Sequence, residues 1–197
     1  EGSLEEARHL LELVTSHLAA GDVSLTLVGG LPGTGKSTLA RALADDGPAV
    51  LLRTDELRRE RPATGADRYH PEEVAAVYDD MLERAGHLLA GGESVVLDAT
   101  WADHGARARA REVATTTSAT LHELRCVLDP DLAAERMRAR ATEGRDPSEA
   151  TPEVAAAMAR AFAAWPEAVE IDTRSSVHAS VNAARRRTGR PARTAGA

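Results

Sequence analysis

Val23-Ser24-Leu25-Thr26-Leu27-Val28-Gly29-Gly30-Leu31-Pro32-Gly33-Thr34-Gly35-Lys36-Ser37-Thr38 is the stretch on which the reading of this chain turns. Residues 23–29 form an apolar-rich run of strand length, the pattern of a strand buried on both faces. Gly30 to Ser37 then matches G-x-x-x-x-G-K-S/T in full, between that strand and a helix starting at Lys36. Glycines let the backbone wrap closely, so that successive N–H groups and a helix N-terminus converge on negative charge. Gly30, Pro32, Gly33, Thr34 and Gly35 are therefore expected to line a triphosphate site. Lys36 is expected to reach the β and γ phosphates, and Ser37 to offer its hydroxyl to magnesium. The loop alone leaves the fate of the γ-phosphate open.

Outward from this loop, strand and helix patterns alternate. Further strands are expected at 49–53, 94–98, 120–128 and 168–172. Helices are expected at 3–20, 36–45, 55–61, 71–89, 104–116, 129–141, 152–164 and 176–187. Ser3 and Glu6 have capping-box spacing, Asp129 can cap the helix that Pro130 opens, and Pro71 suits a first turn. This alternation predicts a parallel sheet covered on both faces, with ligands beyond the carboxyl ends of its strands. The chain divides into an N-terminal helix (1–20), one α/β domain (21–187) and a basic, flexible tail (188–197).

Composition narrows the classes. A length of 197 residues suits one α/β domain, and 43% hydrophobic residues exclude a disordered chain. Aromatics are only 3%, so Ala, Leu and Val must build most of the core. A net charge of -7 argues against a protein whose main task is gripping long nucleic acid. Cys126 is the single cysteine, which excludes a disulfide framework; its apolar run points to a buried thiol rather than a nucleophile. No signal peptide and no apolar run long enough for a bilayer is present, so a cytoplasmic protein with no membrane partner is expected. Glu1 in place of Met suggests one domain cut from a larger protein. The run from Arg185 to Arg193 reads as a solvated end or as a nucleic-acid-binding arm. The histidines lack ligand spacing; His70 either touches an acceptor or sits on the surface.

Three further clusters bear on chemistry. Asp55, in Thr54-Asp55-Glu56-Leu57-Arg58, follows a strand end, where a carboxylate can take the proton of an attacking hydroxyl. The bland alternative is a helix N-cap. Arg58, one turn on, can steady phosphate charge. Val95-Val96-Leu97-Asp98-Ala99-Thr100 ends an apolar run in Asp98, the shape of a Walker B segment, so Asp98 is a candidate for magnesium or its waters. Arg136 and Arg140 share a helix face, while Arg138 falls on another, and Arg145 follows in a polar loop. On a lid over about 136–151, such arginines can neutralise transition-state charge and exclude water; otherwise they form a solvated face paired with Glu135 and Glu143.

The phosphate loop, T-D-E-L-R at 54–58 and V-V-L-D-A-T at 95–100 together resemble the AAA-domain group of predicted P-loop kinases related to polynucleotide kinase and zeta toxin. The resemblance spans nearly the whole chain. It implies a three-layer α/β/α sandwich on a five-stranded parallel sheet of order 2-3-1-4-5, as in nucleoside monophosphate kinases, with a small lid. It implies Asp55 as general base, Arg58 as a phosphate contact, Thr38 as an α-phosphate contact, and Asp98 as a residue that helps place the acceptor. Polynucleotide kinase relatives often carry Asn after D-A-T; Trp101 stands here, with Arg107 nine residues after Asp98, as in the branch that resembles small-molecule kinases. Trp101 either lines an acceptor pocket or packs beside the sheet. R-x-x-x-R at 136–140 followed by R-D-P-S at 145–148 resembles the family lid.

The expectation is an ATP- and magnesium-dependent kinase acting on a hydroxyl of a small acceptor. A polynucleotide 5′-hydroxyl kinase and a nucleotide-binding regulatory module are the alternatives. ATP is the default because no N/T-K-x-D pattern for guanine stands near Ile171-Asp172-Thr173.

Overall fold

The computed structural model describes residues 23–61, 70–143 and 152–189. Their elements run β1 (Ser24–Gly29), α1 (Lys36–Asp45), β2 (Ala49–Arg53), α2 (Thr54–Glu60), α3 (Pro71–Ala90), β3 (Ser94–Asp98), α4 (His104–Thr116), β4 (Thr120–Val127), α5 (Pro130–Glu143), α6 (Pro152–Ala161), β5 (Val169–Asp172) and α7 (Val177–Thr188). All strand pairings are parallel, in the order β2-β3-β1-β4-β5. This is the expected three-layer α/β/α fold. The expected helix at 3–20, the loop at 62–69 and the tail from 190 lie outside the described residues.

Strand side chains alternate between two cores because successive Cβ atoms point to opposite faces. Leu25, Leu27, Val95 and Leu97 pack with α3 and α4 through Val77, Met81, Ala85, Ala106 and Ala110. Val28, Val96, Leu124, Cys126 and Ile171 pack with α1 and α7 through Leu39, Leu43 and Val181. The first core also holds both tryptophans and Tyr78, with Phe162 at its edge. Four of the chain's few aromatics thus fill space that alanine-rich helices leave open.

Capping follows local sequence chemistry. The Asp129 carboxylate accepts from the N–H groups of Asp131 and Leu132, and Ser176 accepts from Ala179. Pro71 opens α3, preceded by an exposed His70. One helix is shorter than expected. α6 stops at Ala161, because residues 162–165 leave the helical path to dock against the segment that leads into α4: the Ala163 N–H donates to the Ala102 carbonyl, and Trp165 is buried.

Trp165 also sets a tight constraint on β1. A Cβ on Gly29 would lie 2.4 Å from the Trp165 ring. Gly29→Ala is expected to destabilise the domain by about 1–3 kcal/mol through overpacking. Denaturant unfolding checks this, and an unchanged midpoint would show that the ring has room to move. Among the described residues, no helix is long and apolar enough to cross a membrane.

Candidate functional site

The loop between β1 and α1 is tied from two sides and braced within itself. The Gly30 N–H donates to the Thr100 carbonyl beyond β3. The Thr34 hydroxyl donates to the Leu31 carbonyl at 2.7 Å, and the Thr173 hydroxyl beyond β5 donates to the Thr34 carbonyl at 2.6 Å. Gly30 (φ 136°) and Gly33 (φ 81°) adopt backbone that L side chains rarely take. A Cβ would meet the Cys126 carbonyl oxygen at 2.7 Å from Gly30 and the Ala133 carbonyl oxygen at 2.5 Å from Gly33. Lys36 and Ser37 open α1, where the first N–H groups lack intrahelical partners. A cradle this closely packed, ending on a helix N-terminus, fits a polyphosphate.

Three adjacent strands bring the other candidates to the same edge. Register places Asp98 beside Val28 on one side and Arg53 on the other. Asp98 is 3% exposed; its Oδ2 accepts from Arg53 Nε at 3.0 Å, while its Oδ1 is buried without a hydrogen-bond partner. An orphaned buried carboxylate oxygen beside the loop is what a magnesium ion or one of its waters would satisfy, so Asp98 fits that ion. Arg53, which sequence reasoning passed over, also donates to Glu56 at 2.8 Å. Burial alone would lower the Arg53 pKa, but the hydrogen bonds to Asp98 and Glu56 hold it above its ordinary value.

Asp55 is the second residue of α2, whose N-cap is Arg53, so the capping alternative for Asp55 does not hold. Its carboxylate stays partly exposed and accepts from Arg58 Nη1 at 2.9 Å. The two residues thus stand together beside the strand edge that carries Asp98.

Two acceptor candidates are buried elsewhere. Trp101 has no exposed surface and sits at φ 55°. Its N–H donates to the Tyr78 hydroxyl at 3.1 Å and its indole to the Leu97 carbonyl at 3.4 Å; the two rings meet edge to face at 5.2 Å. Of its two readings, packing beside the sheet is the observed one. Burial pushes the Tyr78 hydroxyl up to about 12, which keeps it neutral. Arg107 is fully buried too, donating to the carbonyls of Ala163 and Ala164 and lying 5.1 Å from the Trp165 ring centroid. Those carbonyls are available because α6 ends early. Burial, with Arg111 nearby, lowers the Arg107 pKa. Neither side chain offers surface to an acceptor; both brace the core behind the site.

Of the lid arginines, Arg136 is half-buried and donates to the Thr173 carbonyl at 2.9 Å. It lines a cavity of about 310 Å³ with Gly33, Gly35, Thr38, Leu39, Thr173 and Val177. Thr173, Ser175, Val177 and Ser180 were not identified from sequence, because scattered residues after a last strand carry no motif. The Arg140 side chain and Arg145 lie outside the described residues.

Cys126 is 1% exposed, and burial pushes its thiol up to about 12, only partly offset by Lys36. It is expected to resist thiol reagents at pH 8 until the protein is denatured. Rapid labelling of the native protein would contradict this burial.

A family model described as "AAA domain" matches residues 25–165. The uncharacterized protein Rv2004c of Mycobacterium tuberculosis is 40% identical over 194 residues, covering 93% of this chain and 38% of that protein. The chain therefore spans about two fifths of the length of the curated relatives it matches. Among solved structures, the gluconokinase of Sinorhizobium meliloti 1021 superposes with a TM-score of 0.59 at 20% identity, covering 85% of this chain and 92% of that one. The APS kinase CysC of Mycobacterium tuberculosis, in complex with AMPPNP and APS, gives 0.62 at 20% identity, covering 85% and 96%. At such identity these likenesses establish the fold alone.

Proposed function

The chain belongs to the AAA domain family, and from that premise we propose that it is an ATP-dependent kinase that moves the γ-phosphate to a hydroxyl of a small-molecule acceptor. The observation that carries this reading is the convergence, at three adjacent strand ends, of the phosphate loop, the unsatisfied Asp98 oxygen and the partly exposed Asp55 carboxylate.

In this reading the backbone from Gly30 to Gly35 and the ammonium of Lys36 bind the phosphates. Ser37 and Asp98 would hold magnesium, which when bound neutralises charge between the β and γ phosphates. Asp55 orients the acceptor hydroxyl and takes its proton as the new oxygen–phosphorus bond forms and ADP departs. Arg58 beside it steadies the charge of the incoming group. The nucleoside occupies the cavity, flanked by Arg136, whose guanidinium also stands beside Gly35 of the phosphate loop. The small-molecule class draws support from the gluconokinase and APS kinase neighbours and from the charge of -7.

The test supplies labelled ATP and magnesium with sugars, nucleosides, aminoglycosides or a 5′-hydroxyl oligonucleotide, using Asp55→Asn as control. Label should reach a small hydroxyl compound and disappear in the variant. Label on the oligonucleotide alone would overturn the acceptor class. Nucleotide binding with no transfer to anything would instead favour a regulatory module.

A further inference from the structure

The pair Arg53–Asp98 is an expensive arrangement for a protein interior. Side chains 9% and 3% exposed have left water, and a well-packed apolar pair of the same volume would avoid that desolvation. The carboxylate is moreover only half satisfied, since Oδ1 has no hydrogen-bond partner. Cross-strand register makes the contact obligatory: Arg53 ends β2 directly opposite Asp98 at the end of β3. The guanidinium then divides its donors, with Nε on Asp98 at 3.0 Å and Nη1 on Glu56 at 2.8 Å. Glu56 adjoins Asp55 in the first turn of α2. One planar fork thus links the strand end bearing Asp98 to the helix bearing Asp55, and a lysine has no such fork.

We propose that Arg53 is a positioning residue for the metal: by gripping Asp98 Oδ2 it stops the carboxylate rotating and leaves Oδ1 for the magnesium of the bound nucleotide. The inference rests on the kinase reading in which Asp98 serves that ion. Outer partners of this kind orient ligands without touching the metal, and losing one weakens metal affinity about 10–100-fold.

The test uses Mn(II) as probe, titrated into the protein saturated with a non-hydrolysable ATP analogue, with free and bound Mn(II) read by electron paramagnetic resonance. Wild type, Asp98→Asn, Arg53→Lys and Arg53→Met are compared, and analogue affinity in chelator is measured for each. Arg53→Lys retains the charge and guards against simple misfolding of Arg53→Met. The expected result is Mn(II) affinity lowered about 10–100-fold in Arg53→Lys, with an altered bound spectrum and unchanged metal-free analogue binding. Wild-type Mn(II) affinity in Arg53→Lys, with Asp98→Asn impaired, would overturn the positioning role alone. Wild-type affinity in Asp98→Asn would overturn the metal reading of Asp98, and this inference with it. Loss of metal-free analogue binding in Arg53→Lys would mark a merely structural role and also overturn it.

Discussion

Lys36→Met is expected to lower phosphoryl transfer by about 10³-fold, the order seen when a preorganised group aimed at developing charge is removed. The substitution keeps an unbranched apolar stem and deletes only the ammonium, so α1 should form as before. Lys36 is half-buried at the first residue of α1, close enough to Cys126 for its charge to act on the buried thiol. In the proposed reaction, negative charge shifts from the attacking oxygen to the β–γ bridge, and a cation held there gains interaction as that happens. Nucleotide affinity should fall less than kcat, because the loop backbone and the helix N-terminus still bind phosphate. Single-turnover kinetics beside equilibrium nucleotide binding would separate the two. Transfer within a few-fold of wild type would remove Lys36 from the transition state.

Asp55→Asn is expected to lower kcat by about 10²–10⁴-fold, the usual worth of a positioned general base. Asparagine keeps the shape and can still accept from Arg58, so the first turn of α2 should survive. Nucleotide and Mn(II) affinities should stay at wild-type values, because in the proposed reaction Asp55 serves the acceptor hydroxyl and holds neither phosphate nor metal. That pattern differs from the losses expected for Lys36 and Asp98, and it makes the three assignments separately testable. If the variant turns over normally on an identified acceptor, Asp55 is not the base and its pairing with Arg58 is only a helix-surface contact.

Much of this architecture was legible from local chemistry. The β1 run, the glycine loop and Lys36 are contiguous, so one stretch carried the strand, the turn and the helix start together. Asp129 and Pro71 announced helix starts through short-range preferences that act over two or three residues. The site residues divide on the same principle. Asp55 and Arg58 are one helical turn apart, and their association follows from α-helical spacing. Asp98 ends an apolar run, and strand position alone carried it to the ligand side.

What escaped were contacts between segments distant in the chain. Arg53 looked like an ordinary strand-end residue, and only the β2–β3 register set it against Asp98. Arg107 and Trp101 carried the marks of acceptor contacts, yet tertiary packing buried both behind the sheet. Arg107 found the carbonyls of Ala163 and Ala164 only because α6 stopped short, and Trp101 met Tyr78 from α3 across more than twenty positions. The sequence by itself determined the phosphate loop, the alternation of strand and helix and the placing of Asp55 and Asp98 at strand ends, since each depends on neighbours within a turn or a strand. The tertiary structure decided which arginine grips Asp98, which aromatic fills the core and where Arg136 points, since those depend on surfaces that meet only after the sheet has assembled.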